Sequence, residues 1–221
     1  MEITGDYRKG PADKKSSRIK AQLEQTLNVG GEGDVSFART QISGSDGKEK
    51  SAGRYVIKHL VNEFNDEEIK PENIVKKHRW LKQRGFPVVP TLRYDETTNT
   101  LIMTDLTSGG EKLVVDRHKD LPSCGVTAEQ IENWKEIERE ARSLAAKVFS
   151  GGMAFNKDNY ALVLEKSGDR YKAKIYFVDL GYGAYIIADG TSEPKTIERQ
   201  LSEVNEFLSL VQRNWDRSTI K

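Results

Sequence analysis

The residues of this 221-residue chain that could do chemistry lie in four short segments. The first holds Gly30, Gly31 and Gly33, and clustered glycines let backbone N–H groups approach an anion closely. The second is the apolar run Tyr55-Val-Ile-Lys58, at whose end a lysine can reach phosphate oxygens. Glycine-rich turns and strand-end lysines are also common in ordinary structure, so neither segment by itself predicts a site.

The third segment is Asn156-Lys-Asp-Asn159, in which Asp158 can act as a base and Asn159 can ligate a hard cation through its amide oxygen. The fourth is Val178-Asp-Leu-Gly181, whose Asp179 lies 20 residues after Asn159. A single hairpin between them would return the chain, so both groups could reach one metal ion. The alternative is that both segments are simple Asn/Asp turns, the commonest use of these residues.

The elements expected to position the first two segments are mainly strands. Residues 1–19 favour a loose arm, and residues 21–27 are equally compatible with helix or strand. Pro71 suits the first turn of a helix and Gly85 suits the position just after its end. The predicted strands cover 35–41, 54–61, 91–94 and 101–104, and the predicted helix covers 71–84.

The C-terminal half is expected to be mainly helical. Thr127 and Gln130 have the capping-box pattern, so we expect a long amphipathic helix from Thr127 to Gly151. Strands at 161–165 and 171–179 and a final helix at 194–217 follow. Thr107-Ser-Gly-Gly110 is the expected hinge between the N-terminal sheet lobe and the helical lobe. The predicted organisation is an N-terminal arm at 1–26, a sheet lobe at 27–106 and a helical lobe at 107–221.

Composition excludes several classes of protein. The chain has 35 Lys and Arg against 34 Asp and Glu, so no strongly basic nucleic-acid-binding surface is expected. Its single cysteine, Cys124, excludes an internal disulfide and a multi-cysteine zinc site. No apolar window is long enough for a transmembrane helix, and the N-terminus lacks a Sec-type signal. We therefore expect no nucleic-acid or membrane partner, and a monomer.

Taken in order, these parts resemble the protein-kinase-like fold over residues 27–185. Tyr55-Val-Ile-Lys58 resembles the third-strand lysine motif of that fold, and Asp179-Leu-Gly181 resembles its metal-binding Asp-Phe-Gly motif. The resemblance implies an α+β, minimal bilobal protein-kinase-like fold with an antiparallel-sheet N-lobe and a small helical C-lobe. It also implies ATP and Mg²⁺ as cofactors.

The resemblance assigns roles to individual residues. Residues 30–35, including Val35, resemble the phosphate-covering loop, Met103 resembles a gatekeeper, and residues 104–106, including Asp105, resemble the hinge along the adenine edge. Phosphate binding falls to Lys58 and the glycines, and Mg²⁺ binding to Asn159 and Asp179. The resemblance implies catalytic roles for Lys58 and Asp179, and Asp158 is our choice for orienting or deprotonating the substrate hydroxyl.

The sequence departs from the kinase pattern in the catalytic loop. The catalytic aspartate is expected five residues before the metal-binding asparagine, where Ala154 stands, and Asp158 directly precedes Asn159 instead. In this respect Asn156-Lys-Asp-Asn159 resembles the selenoprotein O pseudokinases, which transfer AMP. The glutamate partner of Lys58 is also unassigned, with Glu72 the nearest candidate and Glu67 and Glu68 as alternatives.

Only 40 residues follow Gly181, which is too few for a full activation segment and the usual C-lobe helices. With this short C-terminal region, the chain resembles the minimal type III effector kinases of the HopBF family. That resemblance implies delivery into a host cytosol and phosphorylation of the host ninety-kilodalton heat-shock chaperone, whereas a cytoplasmic location is the alternative. The competing functions are AMP transfer, a small-molecule kinase of the aminoglycoside type, and a catalytically inactive binding module.

Overall fold

The computed structural model describes residues 2–7, 17–27, 33–43, 49–60, 70–95, 98–181, 183–187 and 196–212. The chain divides into two compact units, with the boundary between Ser108 and Gly109. Gly30 and Gly31 lie outside the described residues, and Gly33 is the first residue of a strand.

The first unit is built on one antiparallel six-stranded sheet. Its strands are β1 (Glu2–Tyr7), β2 (Ser17–Leu27), β3 (Gly33–Ser43), β4 (Glu49–Leu60), β5 (Leu92–Asp95) and β6 (Thr100–Thr104). Their order in the sheet is β1-β2-β3-β4-β6-β5. Strand β1 lies where the sequence favours a loose arm. Strand β2 includes residues 21–27, which the sequence leaves open between helix and strand, and its backbone pairs with β3.

One helix, α1 (Pro71–Gln83), packs against β5; it begins at the predicted residue and ends one residue before the predicted end. Pro71 lies in its first turn, and Gly85 follows its end with a φ of 74°. Ile74, Val75 and Leu81 form its buried face. His78 lies on the same face and donates to the carbonyl of Val89 at 2.7 Å. Burial lowers the pKa of His78, so this residue is accommodated as a neutral core side chain.

The second unit combines two helices with short antiparallel strands. Its elements are β7 (Lys112–Val115), α2 (Trp134–Ser150), β8 (Met153–Ala154), β9 (Tyr160–Ser167), β10 (Arg170–Phe177), β11 (Tyr185–Ile186) and α3 (Ile197–Gln212). A three-stranded sheet has the order β10-β9-β7, and β8 pairs with β11. Helices α2 and α3 pack on each other, and α2 also contacts β8 and β10.

The predicted start of α2 is wrong by seven residues. Thr127 and Gln130 do form a capping box, but it caps a short 3₁₀ turn at Ala128–Gln130. The chain then becomes extended, because Ile131 bridges Tyr171 and the Asn133 side chain pairs with both backbone groups of Ala173. Pairing with β10 therefore delays the helix until Trp134.

An aromatic cluster forms the core of the second unit. Tyr160 lies between Phe177 and Phe207, with ring centroids 5.4 and 5.5 Å away, and Phe155 packs on Phe177 at 4.7 Å. All four side chains are buried. The α+β class predicted from the sequence is thus confirmed, with antiparallel sheets and three helices in the described part of the chain. Among those described helices, none has the length and apolar character needed to cross a bilayer.

Candidate functional site

Lys58 lies on a partly exposed apolar face of the first sheet. In register it pairs with Val35 on β3, while Val56 pairs with Met103 on β6 and Phe37 on β3. Opposed residues and residues two apart share a face of a sheet, so these five side chains lie on one face. All five are half-buried. The structure thus brings together three of the residues predicted from the sequence: Lys58, Val35 and Met103.

Asp105, predicted to line the adenine edge, closes a turn at the end of the same sheet. Its buried carboxylate accepts from the backbone N–H and the hydroxyl of Thr107, at 2.8 and 2.6 Å, and lies 3.4 Å from Nε of Arg54. The Asp105 carbonyl accepts from the backbone and the side chain of Ser108. Asp105 therefore holds the end of β6 in place, and its contact with a nucleotide stays a prediction.

The glutamate partner of Lys58 stays a prediction. Its nearest candidate, Glu72, lies in the first turn of α1. Glu67 and Glu68 lie outside the described residues.

In the second unit, the segment Asn156–Asn159 forms a short loop whose side chains cap its own backbone. Asn156 Oδ1 accepts from the backbone N–H of Asp158 at 2.9 Å, and Asn159 Oδ1 accepts from the N–H of Asn156 at 3.0 Å. These two bonds form a reciprocal capping box around a 3₁₀ turn at Lys157–Asn159. The Asn/Asp composition that suggests an ordinary turn is therefore also what makes this loop rigid.

Asn159 joins this loop to the segment that carries Asp179. The Asn159 side chain is fully buried, and its Nδ2 donates to the Asp179 carbonyl at 2.7 Å. The N–H of Val178 donates to the Asn159 carbonyl at 2.9 Å. Asp179 itself is exposed and has a φ of 45°, in the left-handed region that few residues other than glycine adopt. Asn159 and Asp179, which the sequence predicts to approach each other, are therefore joined by a hydrogen bond from the Asn159 side chain to the Asp179 backbone carbonyl.

These groups fit a magnesium ion in donor type. Mg²⁺ prefers oxygen ligands and keeps several waters, so one or two protein oxygens plus phosphate oxygens suffice. The exposed Asp179 carboxylate would supply the accessible oxygen. Because the Asn159 amide is engaged at both ends, Asn159 would mainly hold Asp179 in place. In the described part of the chain, no group of three or more His, Cys, Asp or Glu side chains could hold a metal by itself.

Asp158 has two oxygens in different environments. Its Oδ2 lies 2.7 Å from Nη1 of Arg117. Its Oδ1 is buried and has no hydrogen-bond partner among the residues that the structure describes. Buried acceptors normally have a partner, so the environment of this oxygen is unusual.

Helix α3 anchors the loop through a residue that sequence reasoning missed. Gln200 is 2% exposed, its Oε1 accepts from the N–H of Phe155 at 2.8 Å, and its Nε2 donates to the Phe155 carbonyl at 3.1 Å and the Tyr160 hydroxyl at 2.8 Å. Burial raises the pKa of Tyr160, so its hydroxyl stays protonated. Its position in the sequence could have indicated a buried role. Gln200 lies three residues after Ile197 and four before Val204, on the apolar face of α3.

Two acidic residues of α3 hold Lys157. Glu203 Oε2 accepts from the Lys157 backbone N–H at 3.0 Å, and the Glu206 carboxylate accepts from its ammonium group. The second bond raises the pKa of Lys157. The loop is thus held by α3 on one side and by Asn159 and Asp179 on the other.

We expect Gln200→Leu to lower the free energy of unfolding of the protein by about 2–4 kcal/mol, because it leaves both backbone groups of Phe155 buried without partners. Denaturant unfolding would measure the loss. The matched control is Gln212→Leu at the exposed end of the same helix, which should change stability little. Equal stabilities of the two variants would show that Gln200 does not anchor the loop.

No known protein-family model matches the chain, and no curated protein matches it.

Proposed function

We propose that the protein is an ATP- and Mg²⁺-dependent phosphotransferase that phosphorylates a protein hydroxyl, with a minimal bilobal protein-kinase-like organisation. The observation that carries the proposal is the hydrogen bond between Asn159 and Asp179. It links an Asp-Leu-Gly segment to a loop containing a second aspartate, Asp158. A base and a magnesium ligand held in adjacent loops are what phosphoryl transfer to a hydroxyl needs.

The first unit supports the proposal through the order of its parts. The glycine segment connects β2 to β3, Lys58 lies on the next strand, β4, and α1 follows. Protein kinases likewise place a glycine-rich loop before a strand lysine and follow that strand with a helix. The apolar face around Lys58, which includes Val35 and Met103, offers a surface of the kind that an adenine ring contacts.

The chemistry assigns one role to each group. In the proposed reaction, the backbone amides of Gly30, Gly31 and Gly33 contact the phosphates and Lys58 neutralises their charge. Bound Mg²⁺ would add positive charge at the phosphate oxygens, and Asp179 would hold it. The substrate hydroxyl oxygen forms a bond to the γ-phosphorus, and the bond from that phosphorus to the β,γ-bridging oxygen breaks.

ADP leaves with the electron pair of that broken bond, and the proton of the substrate hydroxyl passes to the Asp158 carboxylate. Ala154, at the position expected for the catalytic aspartate, lies in β8 and carries no proton-accepting group. Asp158 is the carboxylate of the same loop, and its Oδ1 has no hydrogen-bond partner in the part of the chain that the structure describes. Asp158 is therefore our choice of base.

The proposed substrate class follows from the resemblance to the minimal effector kinases. On that basis the acceptor is a serine or threonine of a host protein such as the ninety-kilodalton heat-shock chaperone, reached by type III delivery. This part of the proposal is independent of the reaction type and can fail without it.

The test uses purified protein with Mg²⁺ and ATP labelled at either the α- or the γ-phosphate, incubated with a eukaryotic lysate and with the purified chaperone. Label transferred to protein from the γ position alone supports phosphorylation, and a labelled chaperone supports the substrate class. Label from the α position alone would establish AMP transfer instead. Absence of transfer from both, in the presence of nucleotide binding, would identify a binding module.

A further inference from the structure

We infer that Arg117 is the positioning residue for Asp158, an inference that rests on the proposed function for its catalytic meaning. Arg117 Nη1 lies 2.7 Å from Asp158 Oδ2. The two residues are 41 positions apart in the chain, so no local pattern links them. The Asp158 side chain is 20% exposed and the Arg117 side chain 38%, which places their contact at the edge of the loop rather than in the core.

The turn that carries Arg117 is itself braced. Asp116 Oδ1 accepts from the backbone N–H groups of His118 and Lys119, at 2.8 and 2.9 Å, and the Asp116 N–H donates to the Lys119 carbonyl. A side chain that caps its own turn restricts the backbone before any partner arrives. Arg117 is therefore presented from a turn of defined shape.

A second contact orients the guanidinium group. Arg117 Nε donates to Nε2 of His118 at 2.8 Å, which requires a His118 ring without a proton on Nε2. Because the guanidinium is planar, bonds on two of its nitrogens set its rotation as well as its position. The Arg117 guanidinium that pairs with Asp158 therefore has a defined orientation.

The two carboxylate oxygens of Asp158 have different contacts in this geometry. Oδ2 is held by Arg117, and the backbone N–H of Asp158 is held by Asn156. Oδ1 is buried and has no hydrogen-bond partner among the described residues, and its direction follows from the position of Oδ2. Arg117 would therefore act on the reaction through Asp158, by holding this carboxylate in one orientation.

The kinetic test compares Arg117→Gln and Arg117→Lys with wild-type protein. We expect Arg117→Gln to lower kcat about 10- to 100-fold, with little change in KM for ATP, because misplacement of a base affects the chemical step. Arg117→Lys should recover part of the loss. In an Asp158→Asn background, Arg117→Gln should cause no further decrease. The matched control is Arg139→Gln, which removes an exposed arginine paired with Glu136 on α2.

A second readout does not depend on activity. Carbodiimide labelling of carboxylates, followed by peptide mass spectrometry, should modify Asp158 slowly in wild-type protein and several-fold faster in Arg117→Gln. Equal labelling of Asp158 in the two proteins would overturn the inference, as would an unchanged kcat in Arg117→Gln. If wild-type protein transfers no phosphate, the proposed function fails, and the labelling result alone decides whether Arg117 positions Asp158.

Discussion

Replacement of Asp179 by asparagine is expected to reduce Mg²⁺-dependent phosphoryl transfer by about 10³-fold, because it removes the charged oxygen proposed to hold the metal at the developing charge. Mg²⁺-dependent ATP binding should weaken in parallel, whereas ATP binding without Mg²⁺ should change little. Initial rates with γ-labelled ATP and calorimetric titrations with and without Mg²⁺ would measure the two effects.

Asparagine tests the Asp179 carboxylate better than alanine would, because of the backbone conformation at this position. Asp179 has a φ of 45°, and asparagine adopts the left-handed region more readily than alanine does. Asp179→Asn should therefore keep the stability of the fold, and a loss of activity can be attributed to the carboxylate. The matched control is Asp169→Asn, the same change at an exposed residue of the β9–β10 turn. Wild-type rates in Asp179→Asn would exclude Asp179 from the site.

The second large effect concerns Gly183, whose replacement by alanine is expected to lower the free energy of unfolding by about 3 kcal/mol. Gly183 has a φ of 80°, and an added Cβ would lie 2.6 Å from Asn156 Oδ1 and closer still to its Nδ2. The Gly183 carbonyl also accepts from the N–H of Asn156. The substitution would therefore displace the side chain that caps Asp158.

Two further variants separate backbone strain from the clash. Gly168→Ala has a similar φ of 63°, but nothing lies within 4 Å of its added Cβ, so it should cost only about 1 kcal/mol. Combining Gly183→Ala with Asn156→Ala should cost less than the sum of the single changes, because the clashing side chain is gone. Denaturant unfolding would measure all four variants. Strict additivity would place the damage elsewhere than at Asn156.

The combination of a rigid loop and an exposed Asp179 suits a site whose charged groups are already in position before a substrate binds. The loop is capped by its own asparagines, tied to the Asp179 segment by Asn159, and bound to α3 through Phe155 and Lys157. Groups held in this way lose little conformational entropy when a substrate binds. The proposed reaction, which depends on positioning and on charge neutralisation, would benefit from that arrangement.

Much of the site could be predicted from the sequence because its determinants are local. A hairpin reverses the chain, so Asn159 and Asp179 on either side of β9 and β10 had to approach each other. Lys58 and Met103 share a face only because β4 pairs with β6, a contact that the strand patterns by themselves do not predict. The bounds of α1 were predictable because proline and glycine mark its ends.

Other features could not be predicted because they depend on partners that are distant in the chain. The capping box at Thr127 did not start α2, since pairing with β10 favours an extended backbone at Ile131. The N-terminal strands were missed because their composition is polar, and a strand of that kind is specified by the neighbour with which it pairs.

By itself, the amino-acid sequence determined the α+β class, most of the elements and the residue types available for chemistry, because periodicity and turn residues act over short distances. Only the tertiary structure decided which of those residues lie together in the candidate site and which hold its loop in place. Gln200 and Arg117 contact the loop from 45 and 41 residues away, and no short-range pattern encodes such contacts. They arise when the packing of α3 and the turn at Asp116 bring polar side chains to unsatisfied backbone and carboxylate groups.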